Sequence, residues 1–229
     1  MNIKIIHDAK EATGLAVIID VFRAFTVEPY IINNGAKKLI PVGDMQIAYD
    51  YKKKDKNCIL IGERNGIKLP DFDYGNSPSQ IEDVDFTGKT VIHTTSCGTQ
   101  GIVGAINASE IITGSFVNAK AIVKYIKENK IEEVSIASLA RPGENPADED
   151  ELCAKYIKSL LENNPTENIQ EEIEKLKTTS GARFFLENMQ EVFPERDFYL
   201  CTEIGKFNFV LKVKKYSNYI NCIEKIIIK

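Results

Sequence analysis

The hydrophobic positions of the chain form short runs rich in Ile and Val, and longer amphipathic stretches separate these runs. The runs predict strands at NIKIIH (2–7), GLAVIID (14–20), KKLIPV (37–42), CILIG (58–62), TVIHT (90–94), SEIIT (109–113) and VSIAS (134–138). Helices are predicted between them, at AFTVEPYIINNG (24–35), from Asp44 to about Lys54, and at VNAKAIVKYIKEN (117–129). This alternation predicts an α/β fold in which a largely parallel sheet carries helices on both faces.

The pattern changes from residue 147 onward, where three helices are predicted in succession. They are ADEDELCAKYIKSLLENN (147–164), a helix opened by Pro165 and Thr166 and running through Lys177, and SGARFFLENM (180–189) with Ser180 as its N-cap. The tail from residue 198 to residue 229 is predicted to return to strands. We find no linker, repeat or low-complexity segment, so residues 1–229 are expected to form one domain.

Composition narrows the class of protein. The chain is 43% hydrophobic and 27% charged, which is typical of a globular protein with a core of useful size. Its net charge of −4 argues against general nucleic-acid binding, which leaves a basic footprint. No apolar run approaches the roughly 18 residues that span a membrane, and the first ten residues lack a signal-peptide pattern. A cytoplasmic protein is therefore expected.

The cysteines and histidines offer little metal chemistry. The five Cys, at positions 58, 97, 153, 201 and 222, form no CxxC pair and are expected to be reduced and buried. Two His cannot make a multi-histidine metal site. We expect His93, in TVIHT, to be a histidine of the core or of a strand end.

The most unusual polar residues all follow predicted strands. They fall at 20–23, 63–65, 94–99 and 138–141. Ligands of open α/β sheets bind beyond the carboxyl ends of the strands, so these segments are expected to meet at one site.

Asp20 and Arg23 follow the buried strand GLAVIID. The Asp20 carboxylate would lie near the mouth of the sheet, where it could bind Mg²⁺ or act as a nucleophile or base. Arg23, at the start of the next helix, could clamp an anion. The alternative is that Asp20 caps the helix and Arg23 pairs with it.

The segment TTSCGT (94–99) runs from a strand into a helix. Backbone N–H groups and the hydroxyls of Thr95, Ser96 and Thr99, with Gly98, could hold a phosphate or sulfonate. A tight capped turn is the alternative. TGKT (87–90) is not a P-loop, because Asp83 stands where the first Gly is required, and the glycines after Cys97 lack the GxGxxG spacing. A Cys97 nucleophile is disfavoured, because Val103 stands where cysteine phosphatases need Arg.

Two further segments carry candidate ligands. Four acids, Asp148 to Glu151, open a helix; they favour the helix dipole, but with Asp20 they could also complete a hard-oxygen Mg²⁺ site. Arg141 precedes them as a further anion ligand. In the irregular segment 62–78, the polar candidates are Glu63, Arg64, Asn65, Asn76 and Ser77.

Four of these segments together resemble one family, the magnesium-dependent 2-phosphosulfolactate phosphatases. They are IDVFRA (19–24), GERNGIKLPDFDYGNSP (62–78), TTSCGT (94–99) and the acidic helix start DEDELCA (148–154). Their order and spacing match, the resemblance covers nearly the whole chain, and the segment 62–78 is its most specific part. The resemblance implies a three-layer α/β/α sandwich with a mostly parallel, mixed sheet. It also implies that segment 62–78 is an ordered wall of the active site.

The implied reaction is hydrolysis of 2-phospho-3-sulfolactate to 3-sulfolactate and phosphate, a step of coenzyme M biosynthesis. Our hypothesis is that Asp20, with one or both of Glu149 and Asp150, holds Mg²⁺, while Arg23, Arg64 and the 95–99 turn hold the anionic groups. Attack by Asp20 and orientation of a water molecule by Asp20 both stay open. So do a phosphatase for another phosphorylated 2-hydroxy acid and a non-catalytic sensor of such an anion. The apolar run IEKIIIK is equally consistent with a homo-oligomer interface and with an edge strand.

Overall fold

The computed structural model describes residues 1–139, 145–217 and 220–228. Its strands are β1 (Asn2–Ile6), β2 (Leu15–Ile19), β3 (Lys38–Pro41), β4 (Ile59–Arg64), β5 (Ile67–Lys68), β6 (Thr90–Thr94), β7 (Glu110–Gly114), β8 (Glu133–Ser138), β9 (Phe209–Ser217) and β10 (Ile220–Ile227). Its α-helices are α1 (Ala24–Asn33), α2 (Met45–Lys54), α3 (Pro78–Ile81), α4 (Gly98–Gly104), α5 (Ala119–Glu128), α6 (Asp148–Leu161), α7 (Ile169–Lys175) and α8 (Glu195–Thr202). The predicted alternation of strands and helices through residue 138 is confirmed.

The strands form two mixed sheets rather than one. The larger has the order β1-β8-β2-β7-β9-β10, and the smaller has the order β3-β6-β4-β5. Pairing is parallel from β1 through β7 in the larger sheet and among β3, β6 and β4 in the smaller, and antiparallel elsewhere. β10 lies against β3, so the two sheets are neighbours. With helices packed on them, they make the α/β sandwich that the sequence predicts.

β2 is the central strand on which the site is built. All five of its residues are buried, and it pairs with β8 on one side and β7 on the other. Helix α5 is amphipathic: Ile122 and Ile126 are buried, while Lys120, Lys124 and Lys127 are exposed. Burial of one stripe of such a helix against a sheet is the main source of its stability.

Three predictions for the last third of the chain need correction. The helix predicted over 180–189 is two short 3-10 turns, Ala182–Phe185 and Glu187–Met189, separated by Leu186 in an extended conformation, and Gly181 takes the N-cap position predicted for Ser180. The helix predicted from Thr166 begins only at Ile169. Residues 198–202, predicted as strand, belong to helix α8, which starts after Pro194 with two acids in its first turn.

The predictions for thiols and histidine are mostly confirmed. None of the five cysteines forms a disulfide, and Cys58, Cys153 and Cys201 are buried. Cys97 is exposed, contrary to expectation, because it precedes helix α4 at the rim of a cavity. His93 is fully buried in β6, as predicted. Among the described helices, none has the length and apolar character needed to cross a membrane.

Candidate active site

A cavity of about 500 Å³ lies beyond the carboxyl ends of strands from both sheets. The lining includes residues after β2 and β8 in the larger sheet, residues at the end of β4 and in the turn after β6 in the smaller, and residues from the segments 62–78 and 180–193. The described lining residues are Asp20, Phe22, Arg23, Glu63, Asn65, Gly66, Asn76, Ser96, Cys97, Leu139, Asn145, Ala147, Glu149, Asp150, Ser180, Arg183 and Phe193. The predicted meeting of polar segments at one edge is therefore observed.

Asp20 lies at the centre of the edge where β2 ends. Its Oδ1 accepts a hydrogen bond from the backbone N–H of Ala24 at 3.0 Å, and its Oδ2 faces helix α4 closely enough that a Cβ on Gly98 would lie 2.8 Å away. The side chain is 8% exposed. Burial raises the pKa of Asp20 to about 7, and the carboxylates of Glu63 and Glu149 add to the rise.

Glu149 and Asp150 reach the same cavity from the first turn of α6. Asp150 Oδ1 accepts from the N–H of Val21 at 2.7 Å, which ties this turn to the end of β2. Burial, followed by the charges of Glu149 and Asp20, raises the pKa of Asp150 well above its usual value. Burial also raises the pKa of Glu149, against the opposing effect of the nearby Ser180 hydroxyl. Glu149 Oε2 has no hydrogen-bond partner among the described residues.

Glu63 fastens the segment 62–78 to the turn after β6. Its Oε1 accepts from the Ser96 N–H at 2.7 Å, and its Oε2 accepts from the Gly66 N–H at 2.6 Å and from the Ser96 hydroxyl at 3.0 Å. The Asn65 N–H donates in turn to Ser96 Oγ at 3.0 Å. The segment thus forms an ordered wall of the cavity. Both carboxylate oxygens of Glu63 accept hydrogen bonds within this wall.

Arg23 is fixed in place by helix α8 and by the residues just before that helix. Its Nη1 donates to Asp197 Oδ2 at 2.7 Å and to the carbonyl of Val192 at 2.9 Å, and both ionic side chains are almost fully buried. The guanidinium carbon lies 4.7 Å from the centre of the Phe193 ring. Arg23 therefore pairs with Asp197 and not with Asp20. Asp20 caps the start of α1, as the alternative interpretation of this segment predicts.

Four more of the predicted residues, Arg64, Ser77, Thr95 and Thr99, do not line the cavity. Arg64 donates to the carbonyls of Glu63 and Gly43 and to Thr94 Oγ1. Thr95 and Thr99 are buried and hydrogen-bond to each other. Ser77 is buried and donates to Asp197 at 2.9 Å. Arg141 lies outside the described residues.

Arg183 is a cavity residue that the sequence reasoning missed. Its guanidinium carbon is 5.1 Å from the centre of the Phe193 ring, so it flanks the same ring as Arg23, and its Nη2 is 3.7 Å from Glu149 Oε1. It lies two residues after Gly181, in a segment (180–189) that the sequence predicts as an ordinary helix. The signal available was an Arg in a segment rich in Phe, which alone does not distinguish packing from binding.

The cavity therefore combines an acidic wall with two arginines. Asp20, Glu149 and Asp150 crowd three carboxylates into a buried region, and crowding of like charges without water is unfavourable unless a cation is close. Within the described ranges, no three His, Cys, Asp or Glu side chains already stand in position to share one metal ion. Arg23 and Arg183 supply positive charge for an anion.

Comparison with known proteins gives a consistent family. The model of the family described as 2-phosphosulpholactate phosphatase matches residues 3–216. A protein of Bacillus subtilis named "Probable 2-phosphosulfolactate phosphatase" is 32% identical over 222 residues, covering 97% of this chain and 96% of that protein. Proteins with the same name from Thermoplasma acidophilum and Caldicellulosiruptor saccharolyticus are 34% and 35% identical, covering 85% and 92% of this chain and 83% and 79% of their own lengths.

Proposed function

The chain belongs to the 2-phosphosulpholactate phosphatase family, and from that premise we propose that it is a magnesium-dependent phosphatase that hydrolyses 2-phospho-3-sulfolactate to 3-sulfolactate and phosphate. The observation that carries the proposal is the cavity in which the carboxylates of Asp20, Glu149 and Asp150 face the guanidinium groups of Arg23 and Arg183. The substrate carries a phosphate, a sulfonate and a carboxylate on three carbons. A site for it must neutralise several negative charges at once.

The donor set of the cavity fits a magnesium ion. Mg²⁺ takes hard oxygen ligands and usually binds through one or two carboxylates, with water and substrate phosphate completing its shell. Glu149 Oε2, buried and without a hydrogen bond from any described group, is an oxygen that a cation would satisfy. We propose Asp20, Glu149 and Asp150 as the residues that hold the ion.

Bound there, Mg²⁺ would neutralise charge on the phosphoryl oxygens, which is the main requirement of this reaction. Uncatalysed hydrolysis of phosphate monoesters is among the slowest biological reactions, with enzymes supplying up to about 10²¹-fold acceleration. Arg23 adds a fixed positive charge, because its contacts with Asp197 and Phe193 leave it little freedom to move. Pre-oriented charge of this kind stabilises a transition state without the cost of reorganisation.

Asp20 is proposed as the catalytic carboxylate. It lies at the end of the central strand, its Oδ1 is fixed by the Ala24 N–H, and its Oδ2 points toward the start of α4. As nucleophile or as the group that orients a water molecule, it must be ionised. A cation beside it favours the ionised form and so offsets the pKa rise that burial causes.

The test is phosphate release from 2-phospho-3-sulfolactate with Mg²⁺ and with EDTA, beside phospholactate and phosphoglycerates. Fast, EDTA-sensitive release that is selective for the sulfonate supports the proposal and its place in coenzyme M biosynthesis. Release from the sulfur-free acids alone keeps the site chemistry and changes the substrate to another phosphorylated 2-hydroxy acid. Tight binding without release from any of them favours a sensor and overturns the catalytic assignments.

A further inference from the structure

Behind the cavity wall, three polar side chains form a buried row that the proposed chemistry does not use. Glu28 Oε1 lies 3.2 Å from His93 Nδ1, and His93 Nε2 lies 3.2 Å from Asn76 Oδ1. Glu28 and His93 are fully buried, and Asn76 is 5% exposed. Of the three, Asn76 lines the cavity. The row therefore leads from the core to one amide at the surface of the site.

The burial of Glu28 requires a compensating group. It lies inside helix α1, and its Oε2 accepts a hydrogen bond from Thr113 of β7 at 3.3 Å. A carboxylate removed from water is strongly unfavourable unless a charged, hydrogen-bonded partner faces it. His93 is in contact with it and can supply that charge.

The geometry of the ring then fixes the amide. His93 lies between two oxygens, so both are satisfied when both ring nitrogens carry a proton and donate. Donation from Nε2 holds Asn76 Oδ1 toward the ring. The Nδ2–H₂ group of the same carboxamide must then face the cavity. A ring whose single proton is on Nδ1 would accept at Nε2, so the amide would turn over, and its oxygen would face the cavity and repel an anion.

We propose that Glu28 and His93 are positioning residues, which hold the Asn76 amide so that its Nδ2–H₂ group donates to an anionic oxygen of the substrate. The inference rests on the proposed function for the identity of that anion. It adds to the arginines a neutral donor whose direction is set by the buried contact between Glu28 and His93. Such a donor gains its value from being oriented before the substrate arrives.

The orientation can be tested by NMR with ¹⁵N-labelled histidine, because the chain contains two His. His7 is exposed, and the His7→Gln variant assigns the remaining signal to His93. The expected spectrum shows a protonated Nε2 for His93, and a shift of its Nε2 signal when inorganic phosphate is added with Mg²⁺. The Asn76→Ala variant is expected to lose that shift. A bare Nε2 at His93, or an Nε2 signal indifferent to phosphate, overturns the proposal.

Enzyme kinetics of variants provide a second test. Asn76→Asp replaces the donor by a negative acceptor and is expected to lower kcat/KM by about 100-fold or more. Glu28→Gln, which leaves Asn76 in place but removes the charge that holds the ring, is expected to raise KM and weaken inhibition by phosphate by about 10-fold, with kcat less affected. Asn57→Asp adds the same charge at an exposed turn and serves as the control. Equal kcat/KM in Asn76→Asp and the control overturns the inference. If wild-type protein hydrolyses none of the substrates, the proposed function fails, while the NMR spectrum still decides how Asn76 is oriented.

Discussion

Asp20 lies beside three of the elements that form the cavity. It caps the start of α1, lies against the start of α4 and shares a buried region with Glu149 and Asp150. Asp20→Asn keeps the shape and an oxygen for the Ala24 N–H, but removes the charge. We expect the variant to lose about 10²–10⁴-fold in kcat or more, whether Asp20 attacks or orients water.

The control for this prediction is Asp50→Asn, the same change on an exposed carboxylate of helix α2 that pairs with Lys53. Phosphate release should be measured for both variants at saturating Mg²⁺, with thermal unfolding to verify that each is folded. Full activity in folded Asp20→Asn would remove Asp20 from the catalytic assignment.

Gly98 shows how closely the start of α4 approaches Asp20. A Cβ there would lie 2.8 Å from Asp20 Oδ2 and 2.9 Å from the Ala24 Cβ. Gly98→Ala is therefore expected to displace the start of the helix, to destabilise the protein by about 1–3 kcal/mol and to lower kcat/KM.

Gly104→Ala is the matched change at the other end of the same helix, where the new methyl would meet only the Ala9 Cβ, at 3.1 Å. Denaturant unfolding and kcat/KM of the two variants should differ clearly. Similar values for both variants would mean that stability and activity do not depend on the close approach of α4 to Asp20.

At the residue scale, the sequence predicted residues at the carboxyl ends of strands or just beyond them. Asp20, Glu63 and Ser96 were found in this way, because the carboxyl ends of parallel strands converge. Arg64 shows the limit of the rule: strand pleating turns it toward Gly43 and Thr94, away from the described lining. Arg183 was missed, because it comes from a distant segment and only the fold brings it to the cavity.

At the scale of elements, helix α8 is the support of the arginine side of the cavity. Its Asp197 is fully buried and accepts hydrogen bonds from Arg23, from the Ser77 hydroxyl and from the Ser79 N–H. One carboxylate thus joins α8 to the start of α1 and to the end of segment 62–78. Asp197→Ala would leave the buried Arg23 charge without its partner. We expect a loss of about 3–5 kcal/mol in the free energy of unfolding.

Glu195→Ala, on the same helix, provides the comparison. Glu195 is an exposed acid of the first turn, where its loss should cost about 0.3–1 kcal/mol through the helix dipole. Unfolding in urea measures both. Equal small losses would show that the Arg23–Asp197 pair contributes no more than a surface charge does.

Elements with a strong local signal were predicted well, and those that depend on context were not. Asp44 caps α2 as expected. The hairpin β4–β5 carried a signal that was overlooked: Asn65 and Gly66 both have positive φ, and Asn-Gly is the preferred pair for such a two-residue turn. Helix α8 also had a signal, a Pro followed by two acids, but its aromatic and β-branched residues favoured a strand. The segment 180–189 has good helix formers, yet it forms two 3-10 turns, and its Phe184 ring lies between the guanidinium groups of Arg183 and Arg23, at 5.5 and 6.0 Å from their carbons.

At the scale of the whole molecule, the cavity lies where the carboxyl ends of the two sheets face each other. Asp20 and Asp150 belong to the larger sheet and its helix α6, and Glu63 and Ser96 to the smaller sheet. Binding of a cation or an anion in this cavity therefore contacts elements of both sheets. We therefore expect such binding to change the stability of the whole molecule.

The charge of the acidic wall makes that stability depend on pH. The pKa values of Asp20, Glu149 and Asp150 are raised in the folded protein, so folding favours their protonated forms. The stability that these groups contribute is fully present below the unfolded pKa, near 4, and is lost as the pH rises toward about 7, the folded value for Asp20. Metal-free protein is thus expected to lose the contribution of Asp20 between about pH 4 and pH 7, and the raised pKa values of Glu149 and Asp150 act in the same direction.

Magnesium should reverse this loss, because it binds the ionised carboxylates and competes with protons at lower pH. At a concentration of 100 times its Kd it should stabilise by about 2.7 kcal/mol, or about 5–10 °C in Tm. The expected result is a large Mg²⁺-induced rise in Tm at pH 8 and a much smaller one at pH 5.5, measured by calorimetry against an EDTA baseline. In Asp20→Asn, the metal-free protein should be more stable than wild type at pH 8, and the response to Mg²⁺ should shrink, whereas Asp50→Asn should behave like wild type. A rise in Tm of equal size at both pH values, or in both variants, would place the ion elsewhere on the molecule.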